Sequence, residues 1–338
     1  MTENKNVNFL TYFTKEFLMQ GTVAIESFLK FHHDGAGFVI CLDDTSAEYL
    51  RRKKYSDKVK IYELKELPSI NKIFERFLLT RTFVESIFSI KPILIDEFIR
   101  QIPVDEGLVY FDADVFFFNS LARIESIINN SELVLSKHLF PQYMAGSQVY
   151  GIYNAGFIVF KNSRKSVAIL QTWKKLCIEW CELTIHENKF ADQKYLEQFV
   201  TLSGVRVIRD PGINNGQYYF REHRELSFSK SKNVVTIDNF SLICFHFHGI
   251  RIHKQFISTG FNRYGLIKKP LTTLLRIYLP YVRAIKREIT YARVVINMDL
   301  ANIVSPSNKA SKLRAVWQIL KFTLVPYRLE NSKSAIAR

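Results

Sequence analysis

Apolar residues fall along this chain in short unbroken runs, set between longer stretches whose apolar positions share one side. Val7–Phe13, Gly37–Leu42, Val59–Tyr62 and Gly107–Phe111 are such runs. Continuous rather than alternating apolarity predicts strands buried on both faces. Leu18–Phe31 has helical spacing and ends before a turn at Asp34-Gly35, and helical patterns cover roughly residues 70–100. Asp43-Asp44-Thr45-Ser46 is a helix start, because short polar side chains there satisfy the first free amides. The second half repeats the pattern. Leu133–Ser136, Ala155–Phe160, Val205–Ile208 and Leu242–Phe247 read as strands, Ser163–Cys181 as a long helix and Asp192–Phe199 as a shorter one. Strands alternating with helices predict an α/β fold, a sheet flanked by helices on both faces. In such sheets ligands sit at the carboxyl ends of the strands.

Beyond about His253 the pattern changes. Leu271, Leu274, Leu275, Tyr278, Val282, Ile285 and Ile289 form one helical stripe, with Lys269, Arg276, Arg283 and Arg287 on the opposite side. Pro280 predicts a kink. After Ser305-Pro306-Ser307-Asn308 a second stripe follows: Leu313, Val316, Trp317, Leu320 and Leu324. Charge divides the chain at the same place. Of 47 basic and 32 acidic residues, 17 and 3 lie from Arg251 onward, leaving 30 and 29 in the first 250. A nearly neutral body, residues 1–250, therefore carries a basic, amphipathic, helical C-terminal region, residues 251–338. Basic and apolar faces on one helix point to an anionic membrane surface as the tail's partner. No apolar run reaches the roughly 18 residues of a spanning helix, and the polar start Met1–Asn6 has no signal-peptide core behind it. The expectation is a cytoplasmic protein, peripheral on the cytoplasmic face of the membrane. The four cysteines form no CxxC pair and read as reduced core thiols.

The strongest chemical signal is Tyr110-Phe111-Asp112-Ala113-Asp114-Val115. Two carboxylates two residues apart at the end of a buried strand repel one another and lose hydration. A divalent cation relieves both costs, and hard oxygen ligands suit Mn²⁺ or Mg²⁺, which commonly also hold substrate phosphates. The plain alternative is a strand-end turn with two solvated aspartates. His246-Phe247-His248-Gly249 ends the last strand. Its first imidazole suits a nitrogen ligand for the same ion, or a satisfied core position, and Gly249 permits close approach of backbone to a phosphate. Tyr153-Asn154-Ala155-Gly156-Phe157 opens a strand with an amide suited to sugar hydroxyls, or forms a turn. Asp192-Gln193 begins a helix, where Asp192 reads equally as an N-cap.

Taken in order, D-x-D, N-x-G, D-Q and H-x-x-G resemble the GT-A glycosyltransferases, and most nearly the group of glycogenin and the bacterial lipopolysaccharide galactosyltransferases. Phe9-Leu10-Thr11-Tyr12-Phe13 and the helix from Arg81 to Glu85 fit that pattern, which spans roughly residues 7–250 and leaves the tail uncovered. The resemblance implies a GT-A catalytic domain over 1–250 that moves a sugar from a nucleotide-sugar donor, a UDP-sugar, to a glycan or lipid-linked acceptor, as in surface polysaccharide synthesis. It implies Asp112, Asp114 and His246 as metal ligands for Mn²⁺ or Mg²⁺, and Thr11 and Tyr12 at the nucleotide base. It also implies Arg81 at the diphosphate or sugar, Asn154, Asp192 and Gln193 around the transferred sugar, and Gly249 at the diphosphate. The family's Lys-Pro-Trp after H-x-x-G is absent. Arg251 or Lys254 stands in for its phosphate-binding lysine, and Ile213-Asn214-Asn215-Gly216 matches an acceptor-side loop.

The alternative reading is a metal-dependent nucleic-acid enzyme with the tail gripping phosphates. The neutral body argues against it, since a nucleic-acid channel needs basic walls, and no nucleic-acid partner is expected.

Overall fold

The computed structural model describes residues 7–221, 226–229, 234–253, 256–260, 270–298 and 324–326. The first half runs β1 (Asn8–Phe13), α1 (Leu18–Leu29), β2 (Gly37–Cys41), α2 (Asp44–Arg52), β3 (Val59–Glu63), α3 (Pro68–Leu78), α4 (Phe83–Ile99), β4 (Gly107–Phe111) and β5 (Val115–Phe117). Then follow α5 (Glu125–Asn129), β6 (Leu133–Lys137), β7 (Tyr153–Lys161), α6 (Arg164–Glu179), β8 (Val205–Ile208) and β9 (Ile213–Asn215). Three short strands, β10 (Leu226–Ser229), β11 (Val234–Ile237) and β12 (Phe240–Ser241), form an antiparallel meander before β13 (Cys244–His246).

Seven strands make one mixed sheet in the order β3-β2-β1-β4-β7-β6-β8. Only β7 runs against its neighbours, pairing antiparallel with both β4 and β6. The carboxyl ends of β4, β6 and β8 therefore share one edge with the amino end of β7. Alternate residues of the unbroken apolar runs feed two separate cores. Phe9, Val39, Val109 and Phe111 enter one face's core, and Leu10, Phe38, Ile40 and Leu108 the other's. Both faces are dry, which is why these strands show no polar alternation. The helical stretch expected over 70–100 is two helices. The break falls before Thr82, which caps α4 in a reciprocal capping box with Glu85. The short helix expected at Asp192 is a 3₁₀ turn over Lys194–Phe199.

A second, three-stranded sheet sits at the carboxyl edge in the order β5-β13-β9. The sequence predicts that the strand stops at Asp112-Ala113-Asp114 and signals no new strand directly after it. The chain turns at Asp112–Asp114, where the Val115 amide donates to the Asp112 carbonyl (3.1 Å), and then starts β5.

After β14 (Arg251–Ile252) and β15 (Phe256–Ser258) come α7 (Pro270–Thr273), a π turn over Leu274–Tyr278 and α8 (Leu279–Val294). A strand at Leu324–Pro326, β16, pairs with β15. The expected Pro280 irregularity is this π turn: proline offers no N–H to the preceding turn, and the wider i→i+5 bonding absorbs the loss. The amphipathic stripe divides. Tyr278, Val282, Ile285 and Ile289 are buried in the same core as Phe9 and Phe111, while Leu271 and Leu275 are 56% and 46% exposed. This stretch of the tail is thus packed on the body. Glu288 of α8 receives Lys53 Nζ (2.7 Å) and the Tyr49 hydroxyl, with Glu26 on the other side of Lys53 (2.5 Å). The second stripe, at Leu313–Leu320, lies outside the described residues.

Candidate active site

The pairing of β5 with β13 puts Val115 opposite His246, and the Phe247 amide donates to the Asp114 carbonyl (2.8 Å). Two motifs 132 residues apart are thereby joined through the backbone. His246 Nε2 lies 2.9 Å from Asp114 Oδ1 and 3.7 Å from Asp112 Oδ2. One ligand atom from each of these three residues falls within 4.8 Å of the other two. Two carboxylate oxygens and one imidazole nitrogen form a donor set suited to a hard divalent cation. Gly156 makes the approach possible. A Cβ there would stand 2.4 Å from His246 Cε1 and 2.9 Å from Asp112 Oδ2.

A further residue enters the site that the sequence reading did not select. Lys91, on α4, is fully buried and lies 2.9 Å from Asp192 Oδ2 and 3.5 Å from Asp112 Oδ1, with its Nζ also donating to the Ala155 carbonyl (3.2 Å). The available signal was a lone cation inside the apolar run Ile87–Ile95 of a core helix, a position that requires a buried counter-charge. Arg81, the cation that was selected, is engaged elsewhere. It donates to the carbonyls of Cys177 (2.8 Å) and Ile178 (2.6 Å) and so caps the carboxyl end of α6.

Electrostatics follow from burial and partners. Burial opposes charge on Lys91, but Asp112 and Asp192 outweigh it and hold the ammonium above its ordinary value. Desolvation raises the Asp192 carboxyl, with Lys91 opposing. Burial likewise works against charge on Asp114 and His246, yet their mutual attraction lowers the carboxyl and raises the imidazole. Tyr110 donates to Asp112 Oδ1, and burial pushes its phenol and that of Tyr12 far above the usual range.

The remaining candidates take definite places. Asn154 is buried, accepts from the Gly156 amide (2.8 Å) and sets Nδ2 3.4 Å from His246 Nδ1. Gln193 accepts from the Ala155 amide (3.1 Å) and donates to the Tyr150 carbonyl (3.0 Å), holding the start of β7. Asp192 caps no helix; its side chain is paired with Lys91, and its carbonyl accepts from the Trp173 indole (2.8 Å). Tyr12 donates to the Ile87 carbonyl (2.8 Å) and its ring lies 5.8 Å from that of Tyr110. Thr11 Oγ1 is buried with no hydrogen-bond partner among the described residues. Gly249 has φ of +79°, the left-handed region that glycine adopts without strain. Arg251 donates to the Ile250 carbonyl and lies over the Phe17 ring, and Lys254 falls outside the described residues. The four cysteines are free and buried.

A mixed α/β sheet with helices on both faces and an acidic cluster at its carboxyl edge is the GT-A architecture. The chain shares it with the galactosyltransferase LgtC, whose structure was determined in complex with donor and acceptor sugar analogues. The match has a TM-score of 0.52 and covers 83% of this chain and 96% of that one at 14% identity, a likeness of fold. In sequence the chain is similar to two uncharacterized proteins of Bacillus subtilis (strain 168). It is 28% identical to YfnF, over 72% of this chain and 82% of that protein, and 26% identical to YfnD, over 74% and 79%. No protein-family model matches the sequence.

Proposed function

We propose that the protein is a metal-dependent glycosyltransferase that moves a sugar from a nucleotide-diphosphate sugar, a UDP-sugar, to a glycan or lipid-linked acceptor in the synthesis of a surface polysaccharide. The observation that carries the reading is the convergence of Asp112, Asp114 and His246 at the carboxyl edge of a GT-A sheet. These three residues would hold Mn²⁺ or Mg²⁺. When bound, the ion supplies charge stabilisation for a leaving diphosphate. Lys91 keeps a fixed ammonium beside the same carboxylates, in surroundings where charge is felt strongly. Asp192 presents a buried carboxylate to the flank on which positive charge develops at the anomeric carbon. Asn154 and Gln193 hold β7, and with it Gly156, against the cluster. Thr11 Oγ1 offers an unused buried oxygen to a base, and the bend at Gly249 opens its backbone to phosphate. LgtC's co-crystallised sugar analogues support a donor and an acceptor of this kind.

Chelation with EDTA should abolish transfer and donor hydrolysis, and Mn²⁺ or Mg²⁺ should restore both. Asp114→Asn should remove activity with the fold intact. Full turnover in excess EDTA would sink the reading.

The proposal extends to the location. Among the described residues no helix is long and apolar enough to cross a membrane. The basic excess after residue 250, with exposed Leu271 and Leu275 and exposed Arg283 and Arg287, supports attachment to an anionic membrane surface. Full-length protein should co-sediment with anionic vesicles but not neutral ones, and Arg283→Glu/Arg287→Glu should weaken that. Equal sedimentation with both vesicle types would count against it.

A further inference from the structure

Beside the metal cluster, on the same edge of the sheet, lies a cavity of about 400 Å³ lined by Lys137, His138, Phe140, Arg209, Tyr219 and Phe240. Its position follows from strand register. Ser136 of β6 pairs in parallel with Ile208 of β8, so the next residues, Lys137 and Arg209, stand side by side where the two strands end. Like charges at neighbouring sheet positions destabilise a fold. Among the described residues, neither cation has a carboxylate partner. Asp210, next to Arg209, is taken by Arg123, and Asp238 on the cavity wall accepts from the Tyr219 hydroxyl (2.5 Å). Two adjacent cations outnumber the one carboxylate, Asp238, in a lining that also holds Phe140, Tyr219 and Phe240, and so form a site for an anionic group carried on a ring with an apolar face.

The cavity borders the site on two sides. Gln148 lines it, and the Gln148 carbonyl receives Lys194, the residue after Gln193. On the other side the His138 ring is 6.1 Å from Tyr218, Tyr218 is 6.2 Å from His248, and His248 is 3.9 Å from His246. The donor's diphosphate belongs at the Asp112–Asp114–His246 cluster and Lys91, across Tyr218 from this cavity.

Resting on the function proposed above, we infer that this cavity is an acceptor subsite selective for a sugar bearing a negative group, carboxylate or phosphate, which Lys137 and Arg209 bind. A planar guanidinium suits either anion in bidentate fashion, and the lysine adds a point charge.

The test is binding, read by calorimetric titration of full-length protein saturated with UDP and Mn²⁺. The ligands are methyl glucoside, methyl glucuronide and glucose 6-phosphate. At least one anionic ligand should bind about tenfold or more tightly than the neutral glucoside, and comparing the two says whether carboxylate or phosphate is the natural group. Lys137→Ala/Arg209→Ala should bring that ligand's Kd to the neutral value, with the thermal midpoint in UDP and Mn²⁺ checking that the donor end is still formed. Equal binding of all three ligands would overturn the inference. So would charge-selective binding that survives the double substitution, or an anionic ligand that simply displaces UDP. Because the titration needs no turnover, the subsite stands or falls separately from the transferase reading.

Discussion

Replacing Lys91 by methionine isolates the interaction on which the interior of the site depends. The substitution keeps length and volume but leaves two carboxylates without their cation. Asp192 Oδ2 is 2.9 Å from Nζ and Asp112 Oδ1 is 3.5 Å away, and the Lys91 and Asp192 side chains are 3% and 4% exposed. Removing one partner of a buried pair costs about 3–5 kcal/mol, because the other charge stays desolvated. Asp192 has an escape that sets the pH dependence. Burial already holds its carboxyl above the ordinary value with Lys91 present, and without Lys91 it rises further. A carboxyl raised in the folded state binds its proton there before the unfolded chain does. The variant should therefore lose stability as pH rises through the folded value and regain it toward acid. Urea unfolding of Lys91→Met should show the full loss near pH 8 and a clearly smaller one near pH 5. Adding Asp192→Asn should recover most of the loss at pH 8, since a neutral amide carries no buried charge. A loss equal at both pH values, or a double variant no more stable than the single one, would refute the argument that Lys91 neutralises Asp192.

Gly156→Ala should fold yet bind Mn²⁺ at least about tenfold more weakly by titration, because its Cβ would stand 2.4 Å from His246 Cε1 and 2.9 Å from Asp112 Oδ2, forcing the ligands apart. Burial, with His246 nearby, holds His138 down at about 3 against an ordinary 6.5. The unfolded chain takes up that proton first, so the group removes up to about 1.4 kcal/mol of stability per pH unit as pH falls through this window. His138→Phe should flatten the urea midpoint against pH from 6.5 downward, and an unchanged slope would refute the assignment.

How much of this was legible depends on the range of the interaction involved. The β1 and β4 runs were legible because a strand dry on both faces leaves an unbroken apolar run. Asp112 and Asp114 stood out because paired carboxylates at the end of such a run need a reason. That His246 joins them depends on β5 pairing with β13, a contact across more than a hundred residues that no local pattern encodes. The predicted strand stops at Phe111, and no element is assigned to residues 115–118, Val-Phe-Phe-Phe, because so few apolar residues after a turn are too short a run to signal a strand of their own. Arg81 was named through the family resemblance alone, and the structure has its guanidinium donating to the carbonyls at the end of α6. Lys91 carries no motif and was not singled out, although a cation in a core helix is the very circumstance that requires buried partners.

The C-terminal helix shows how far the two halves of the chain depend on one another. Its helical stripe suits either lipid or the body of the protein, and beside that stripe Tyr281 stacks on Phe247 at 4.0 Å; Phe247 is the residue after His246 and donates its amide to the Asp114 carbonyl. Tyr278 donates its hydroxyl to Gln217, whose amide in turn donates to the His248 carbonyl (3.3 Å). The helix thus backs the strand that carries the imidazole ligand, with Tyr281 near enough to Asp114 for its charge to be felt. Cutting the chain near Tyr264 would remove this support together with any membrane contact, and lost activity after such a cut would not distinguish the two. Arg283 and Arg287 are exposed on the far face of the same helix, so substituting them alters its surface charge and leaves the Tyr281–Phe247 stack in place. Only changes of that kind separate the proposed attachment from support, because the apolar half of the helix is packed on the body and the basic half is exposed.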